Sequence, residues 1–340
     1  IGGAAAVPII TKHTHAFIGN GASVDAKANR AGIDALTGQF SVGYGVFGNT
    51  FDGQVRPVDI NNSDVSDPLL TGLRIATPNI HTGFKGVAVS AVNRDDIASY
   101  SVGAGLAGTA AVQISGTVNV ITSDTLAYVG DNARINQDNG NEGSDQALLV
   151  AAGNDYQHLG VAGGLAIAGE VAVTPGADVN VATNTAKAWI GKSALLDAKK
   201  DVEVRANSAE TVLSIAISIA GSGTVSVAGA VSVFVLNNTT YAFVDDGAVI
   251  RAGGNLLTTA TDLTKVIQVG GALGIGIVGG GVGAGFSISV INKDTRAWIG
   301  NATVDALGNS SYLIVHDGSL NDSGSFGLTS VGDDVRGVVV

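Results

Sequence analysis

Residues 290–299 read VINKDTRAWI, and the chain carries four other versions of this stretch. They are IITKHTHAFI (9–18), VITSDTLAYV (120–129), VATNTAKAWI (181–190) and VLNNTTYAFV (235–244), aligned without a gap. All five share an alanine, then a large aromatic residue (Phe17, Tyr128, Trp189, Phe243, Trp298), then an aliphatic one. Glycine follows in four copies (Gly19, Gly130, Gly191, Gly300) and Asp245 in the fifth. A further alanine comes three or four positions after the aliphatic residue: Ala22, Ala133, Ala194, Ala248 and Ala302. Both tryptophans of the chain fall in one slot. A slot that accepts Phe, Tyr and Trp alike is a packing position. The glycine reads as a corner and the later alanine as a tight inward site.

The anchor alanines Ala16, Ala127, Ala188, Ala242 and Ala297 are separated by steps of 111, 61, 54 and 55 residues. A period near 55 is the mark of a repeat architecture. The first step is close to two units, so a degenerate unit with a lost anchor is expected between residues 17 and 127. The loop GDNARINQDNGNEGSDQ (130–146) accounts for the 61-residue step. Four regions follow: the end of one repeat with the first anchor (1–37), a degenerate or decorated repeat (38–115), regular repeats (116–317) and a terminal strand or cap (318–340).

Between anchors the chain alternates with period two, the pattern of a strand and not of a helix. In LSIAISIAGSGTVSVAGAVSVFVLN (213–237), Leu213, Ile215, Ile217 and Ile219 share one face, and Val225, Val227, Val231, Val233 and Val235 another. Ser, Ala and Gly lie between. VGGALGIGIVGGGVGAGFSISVIN (269–292) repeats the pattern. Short strands at a fixed period with Gly, Asn and Asp at the corners predict an all-β parallel β-helix, a β-solenoid, with about 55 residues making two to three coils. The expected interior is a dry stack of Val, Ile and Leu. The Ala/Gly/Ser face is then the outer one, over which a second layer or a neighbouring molecule could lie. Another β stack or sandwich, or a transmembrane β-barrel, are the rival folds. The barrel should carry two aromatic girdles, which 5 % aromatic residues in single slots do not supply.

Composition narrows function. The 340 residues include 49 Gly, no Cys and no Met, with 45 % hydrophobic and 14 % charged residues. A net charge of −11 argues against nucleic-acid partners, which need a basic patch. Strict alternation with serine and glycine argues against a membrane-spanning helix in the uncharged stretches 211–244 and 266–292. Absence of cysteine fits a secreted or surface protein. With no methionine, the chain is expected to be a processed product or a fragment.

The anchor repeats and the glycine-rich alternating segment before each resemble the filamentous-haemagglutinin-like and leukotoxin-type giant repetitive surface adhesins of bacteria. The resemblance runs from the first anchor to about residue 317. It implies an exported, rod-like β-helical shaft acting in attachment or as an extracellular filament, with no catalytic motif. Those proteins are far longer, so this chain is a fragment or a small relative.

Few residues suggest chemistry. Asp131, Asp138, Glu142 and Asp145 sit among Asn and Gly in the 130–146 loop, an oxygen-rich setting suited to Ca²⁺. Their spacing matches neither an EF-hand loop nor the GGxGxD repeat of calcium-binding β-rolls, and a solvated loop is the plainer reading; Asp64 and Asp67 invite the same pair of readings. His13 and His15 share a strand face but lack a third ligand. β-Helices also carry polysaccharide-degrading sites, which need clustered carboxylates. The pairs Asp95–Asp96, Asp245–Asp246 and Asp333–Asp334 are adjacent and so point to opposite faces of a strand. The expectation is therefore a non-enzymatic extracellular structural protein without a cofactor. It would be the shaft of an adhesin, or a subunit pairing with itself through open β edges, and a host or neighbouring-cell surface or glycan would be its external partner. A β-helical protein that binds or degrades polysaccharide is the alternative.

Overall fold

The computed structural model describes residues 1–47, 55–57, 74–138, 140–311, 313–316 and 332–340. The chain makes successive passages. The first holds β1 (Gly2–Ala6), β2 (Ile9–Ile18) and β3 (Ser23–Val24), followed by an insertion of β4 (Ile33–Phe47), β5 (Val55–Pro57) and β6 (Arg74–Phe84). Four passages of long, long and short strand come next. They are β7 (Gly86–Ala107), β8 (Ala110–Val129), β9 (Arg134–Ile135); β10 (Ala147–Ala168), β11 (Val171–Ile190), β12 (Leu195–Ala198); β13 (Val202–Ser222), β14 (Val225–Val244), β15 (Val249–Ala252); and β16 (Leu256–Gly276), β17 (Gly280–Ile299), β18 (Thr303–Ala306). β19 (Leu313–His316), β20 (Gly332–Val335) and β21 (Val338–Val339) close the chain.

Among the described residues three parallel sheets result. Sheet one joins β1 and β2 to β8, then β11, β14 and β17; sheet two runs β7, β10, β13, β16, β21; sheet three runs β3, β9, β12, β15, β18. The protein is all-β with stacked parallel sheets, consistent with the expected β-solenoid. Two antiparallel decorations depart from the pattern: β4 with β5 and β6, and β19 with β20.

The register corrects two expectations. Ala16 pairs with Ala127, Ala127 with Ala188, Ala188 with Ala242 and Ala242 with Ala297. Each step between anchors is thus one passage round the three sheets, not two to three coils, because the long strands use some 20 residues each. Among the described residues no anchor strand comes between the first two copies: Phe17 sits directly beside Tyr128. The long step arises because β4–β6 is inserted into a single passage. Pro57 lies in β5 and Pro78 in β6.

A third correction concerns which face is inside. Where the three sheets meet, the core is aliphatic: Val129, Ile190, Leu196, Val204, Val244 and Ile250 are fully or almost fully buried. Towards the hairpin tips of sheets one and two, beyond the buried Tyr156, Phe234 and Leu236, the buried residues are small. Ser214, Ala216, Ser218, Ala220, Ser226, Ala228 and Ala230 point inward, whereas Ile217 and Val227 are each 44 % exposed. The reason is steric. A Cβ on Gly285 would lie 2.7 Å from the carbonyl carbon of Gly270, and one on Gly270 would lie 2.8 Å from that of Phe286. At these two sites only Gly fits, the paired sites one passage earlier take nothing larger than Ala216 and Ala230, and the β-branched residues face out.

Candidate functional site

The recurring anchor forms an outer ladder. Successive aromatic rings stack along the direction of the sheets, with centroids 5.1 Å apart for Phe17–Tyr128, 4.2 Å for Tyr128–Trp189, 5.8 Å for Trp189–Phe243 and 4.3 Å for Phe243–Trp298. The planes lie within 8° of parallel. Alternation within the strand explains the placement. The anchor alanines Ala127, Ala188 and Ala242 are buried on the inner face, so the residue after each points out. Each stacked pair contributes about 0.5–1.5 kcal/mol beyond area burial. The slot does pack, but on the outer surface.

The corner glycines have a separate cause. Gly130 and Gly191 have no positive φ. A Cβ on Gly191 would lie 2.8 Å from both the Asp131 nitrogen and the Gly130 carbonyl carbon, and one on Gly130 would lie 2.7 Å from the Asn20 nitrogen. Gly300 meets Asp246 in the same way, at 2.6 Å from Oδ1, while Gly19, on the first passage, meets nothing within 4 Å. Side chains tie the corners together. Asn20 Oδ1 accepts from the Asp131 N–H (3.0 Å), Asp131 Oδ1 from the Lys192 N–H (2.9 Å) and Asp246 Oδ1 from the Asn301 N–H (2.8 Å).

Beside the rings, the outer face of sheet one carries charged and aromatic groups. Lys187 Nζ lies 5.0 Å from the Tyr241 ring centre. The Tyr241 hydroxyl donates to Asp294, which raises the Tyr241 pKa, and Asp294 also receives Arg296 Nε at 2.5 Å. Hydrogen bonds from Tyr241 and Arg296 hold the Asp294 carboxyl below its ordinary range. Tyr241, Thr295, Arg296 and Trp298 line a shallow open depression.

The acidic loop is occupied by lysines. Lys27 lies 3.0 Å from Asp138, Lys199 2.7 Å from Glu142, and Asp145 sits between Lys200 (2.8 Å) and Lys85 (3.1 Å). Hydrogen bonds from these lysines lower the pKa of all three carboxyls. Asp131 serves the corner instead. Three of the four candidates for Ca²⁺ are thus in separate ion pairs, and the fourth binds backbone. His13 pairs with Asp124 (3.1 Å), and its ring centre is 5.9 Å from that of His15. Among the described residues no group of three or more His, Cys, Asp or Glu could hold a metal ion. Asp64 and Asp67 lie outside the described residues.

No protein-family model, curated protein or solved structure matches this chain.

One feature escaped the sequence reading: a column of polar groups buried between sheets one and two. Asn93 donates to Asp95 and Asn154, both at 2.8 Å. Tyr156, fully buried, bonds Asn119 and Asn180 at 2.9 Å, and burial raises its pKa. Asp178 accepts from Thr117 and Ser214, with the His158 ring 3.9 Å away. Burial alone would raise the Asp178 pKa; its contacts with His158, Ser214 and Thr117 outweigh that and bring it below the usual range. Glu210 is held by Ser208 (2.8 Å), Asn238 (2.9 Å) and Thr264 (2.8 Å), and Asn238 also reaches Asp262 (2.8 Å). Desolvation, with the nearby Asp262 charge, pushes the Glu210 carboxyl up to about 8. The signal lay in parity: these residues share the inward face with buried Ser and Ala.

Proposed function

We propose that this chain is a length of β-solenoid, built from repeats of about 55 residues, that serves as a non-enzymatic extracellular shaft of a bacterial adhesin or filament. The observation that supports this most directly is the in-register parallel ladder, which runs without a break from Ala16 through Ala297. Each passage contacts its neighbours through backbone hydrogen bonds, the quasi-one-dimensional arrangement of repeat proteins. Such a rod resists pulling turn by turn. The outer ladder of rings and the charged groups around Tyr241 are the surface it would present to a cell or glycan.

The edges bear on self-assembly. β17 pairs with β14 on one side and has no partner on the other among the described residues. An open edge of 20 residues is a template for another strand. A second copy joined there through β2, in the internal register, would stack Phe17 on Trp298 and also set Lys12 beside Lys293 and His15 beside Arg296. The ammonium groups of Lys12 and Lys293 oppose joining, so end-to-end assembly should strengthen with ionic strength.

Single-molecule pulling tests the shaft. One passage of 54 residues should release about 190 Å of chain. A series of such steps is expected; a single all-or-none rupture overturns the reading. For the subunit version, negative-stain images at high protein and salt should show fibres, and a particle that stays short and single under those conditions rules it out.

A further inference from the structure

The outer face of sheet one changes character along its strands. Near the anchors it is polar, with rows such as Thr122, Thr183 and Asn237. From the hairpin tips to Val120, Val181, Val235 and Val290, every outward residue of β8, β11, β14 and β17 is Val, Ile, Phe, Ala, Gly or Pro. Val227 is 44 % exposed, Val282 63 %, Phe286 60 % and Ile288 50 %. Four strands of eleven residues cover about 700 Å² at ordinary strand spacing and rise. Monomers rarely expose apolar patches above about 300–600 Å², and stable protein interfaces bury about 600–1,000 Å² per partner. Parallel sheets are ordinarily covered on both faces.

Three observations choose the occupant. Sheet two also has an apolar outer face (Ile217, Ile219, Leu273, Ile275), but the insertion stands on that side. Ser90 donates to the Leu36 carbonyl at 2.7 Å, and an ideal Cβ on Gly38 lies 3.0 Å from the Ala152 carbonyl oxygen. A flat partner would meet it, whereas the outer face of sheet one is bare along its length among the described residues. A lipid layer fits poorly, because the open edge of β17 would leave backbone groups unpaired in hydrocarbon. The face itself carries no charge, so two copies can meet there without bringing like charges into contact.

We propose that this face of sheet one docks on the same face of a second copy, the two sheets packing about 10 Å apart in a two-fold arrangement. The contact is lateral and independent of edge pairing. Two shafts would lie side by side, with the aromatic ladders outside the contact.

Sedimentation of the full chain across concentration, with V179K/V233K and I217K/L273K variants, tests this. Wild type and I217K/L273K should form a closed dimer, and V179K/V233K should weaken it at least 100-fold while keeping the far-ultraviolet β signal. If V179K/V233K does not fold, Val233→Cys supplies the readout, since the chain has no cysteine: a thiol-specific bifunctional cross-linker long enough to span the spacing between the sheets should link two copies through position 233, and Ile217→Cys should not link. The proposal is overturned by a wild type that stays monomeric, by equal weakening from both double variants, or by a 233 link that fails to form. Flotation of monomeric protein with phosphatidylcholine vesicles, blocked by V179K/V233K, would assign the face to lipid instead. Length-growing particles insensitive to V179K/V233K would report end pairing without the lateral contact, and so overturn this proposal while leaving the filament reading intact.

Discussion

Lys293 Nζ lies 2.7 Å from Asp262 Oδ1, at the register position held by Asn238 in the preceding passage and by Lys12 in the first. Lys12 in turn lies 2.6 Å from the largely buried Asp95. At this register position each end is thus closed by an amine on an acid, while Ser123, Asn184 and Asn238 fill the middle. Removing the amine strands a carboxylate whose side chain is 2 % exposed. Lys293→Met is expected to cost about 3 kcal/mol, the low end for a broken buried pair because the lysine is partly exposed. Adding Asp262→Asn should recover most of the loss in a urea-unfolding double-mutant cycle; two additive losses would show that the pair is not coupled.

Stability should depend on pH in two opposite directions. The Glu210 carboxyl is pushed up to about 8 by burial, so the folded state keeps its proton longer than the unfolded chain does. That contribution is complete below the ordinary glutamate range near 4.3 and is lost as pH rises towards about 8. Asp178, held low by its hydrogen bonds, contributes above the ordinary aspartate range and loses that contribution as pH falls through its lowered value. Urea midpoints should therefore peak in mildly acidic solution. Glu210→Gln should flatten the alkaline side and gain stability at pH 9; an unchanged slope between pH 5 and 9 contradicts this.

The corner glycines should divide by position in the stack. Gly191→Ala forces a methyl into the backbone of the preceding corner and is expected to cost about 1–3 kcal/mol. Gly19→Ala faces open space and should fall within about 0.5 kcal/mol of wild type. Equal melting temperatures for the two variants would mean that close approach is not why glycine recurs.

The aromatic ladder should show the same dependence on place. Trp189 stacks on Tyr128 and Phe243, whereas Trp298 stacks on Phe243 and meets Tyr241 edge-on. Trp189→Ala should cost about 2–3 kcal/mol, from two lost stacks and a half-buried ring. Trp298→Ala removes one stack and one edge-on contact at the end of the ladder and should cost less, about 1–2 kcal/mol. Equal losses in thermal unfolding would show that stacking along the ladder adds little beyond burial of each ring.

Much of this was legible before any coordinates. Five gapless copies around an alanine–aromatic–aliphatic core located the strands that pair, because residues that must lie side by side in a ladder keep the same spacing. Alternation declared strands and excluded helices. The acidic loop illustrates the limit. Asp138, Glu142 and Asp145 looked like a shared oxygen cluster, yet their partners Lys27, Lys85, Lys199 and Lys200 come from other parts of the chain, and only the fold brings them together.

The sequence by itself therefore determined the strand content, the repeat and the slots that would align. It could not determine which side of each strand is inside, since a period of two reads the same from either face. Tertiary structure made that choice through the distance between sheets one and two. Where their backbones nearly touch, there is room for Gly, Ala and Ser, and Val and Ile turn outward. Where sheet three props them apart, the aliphatic core returns.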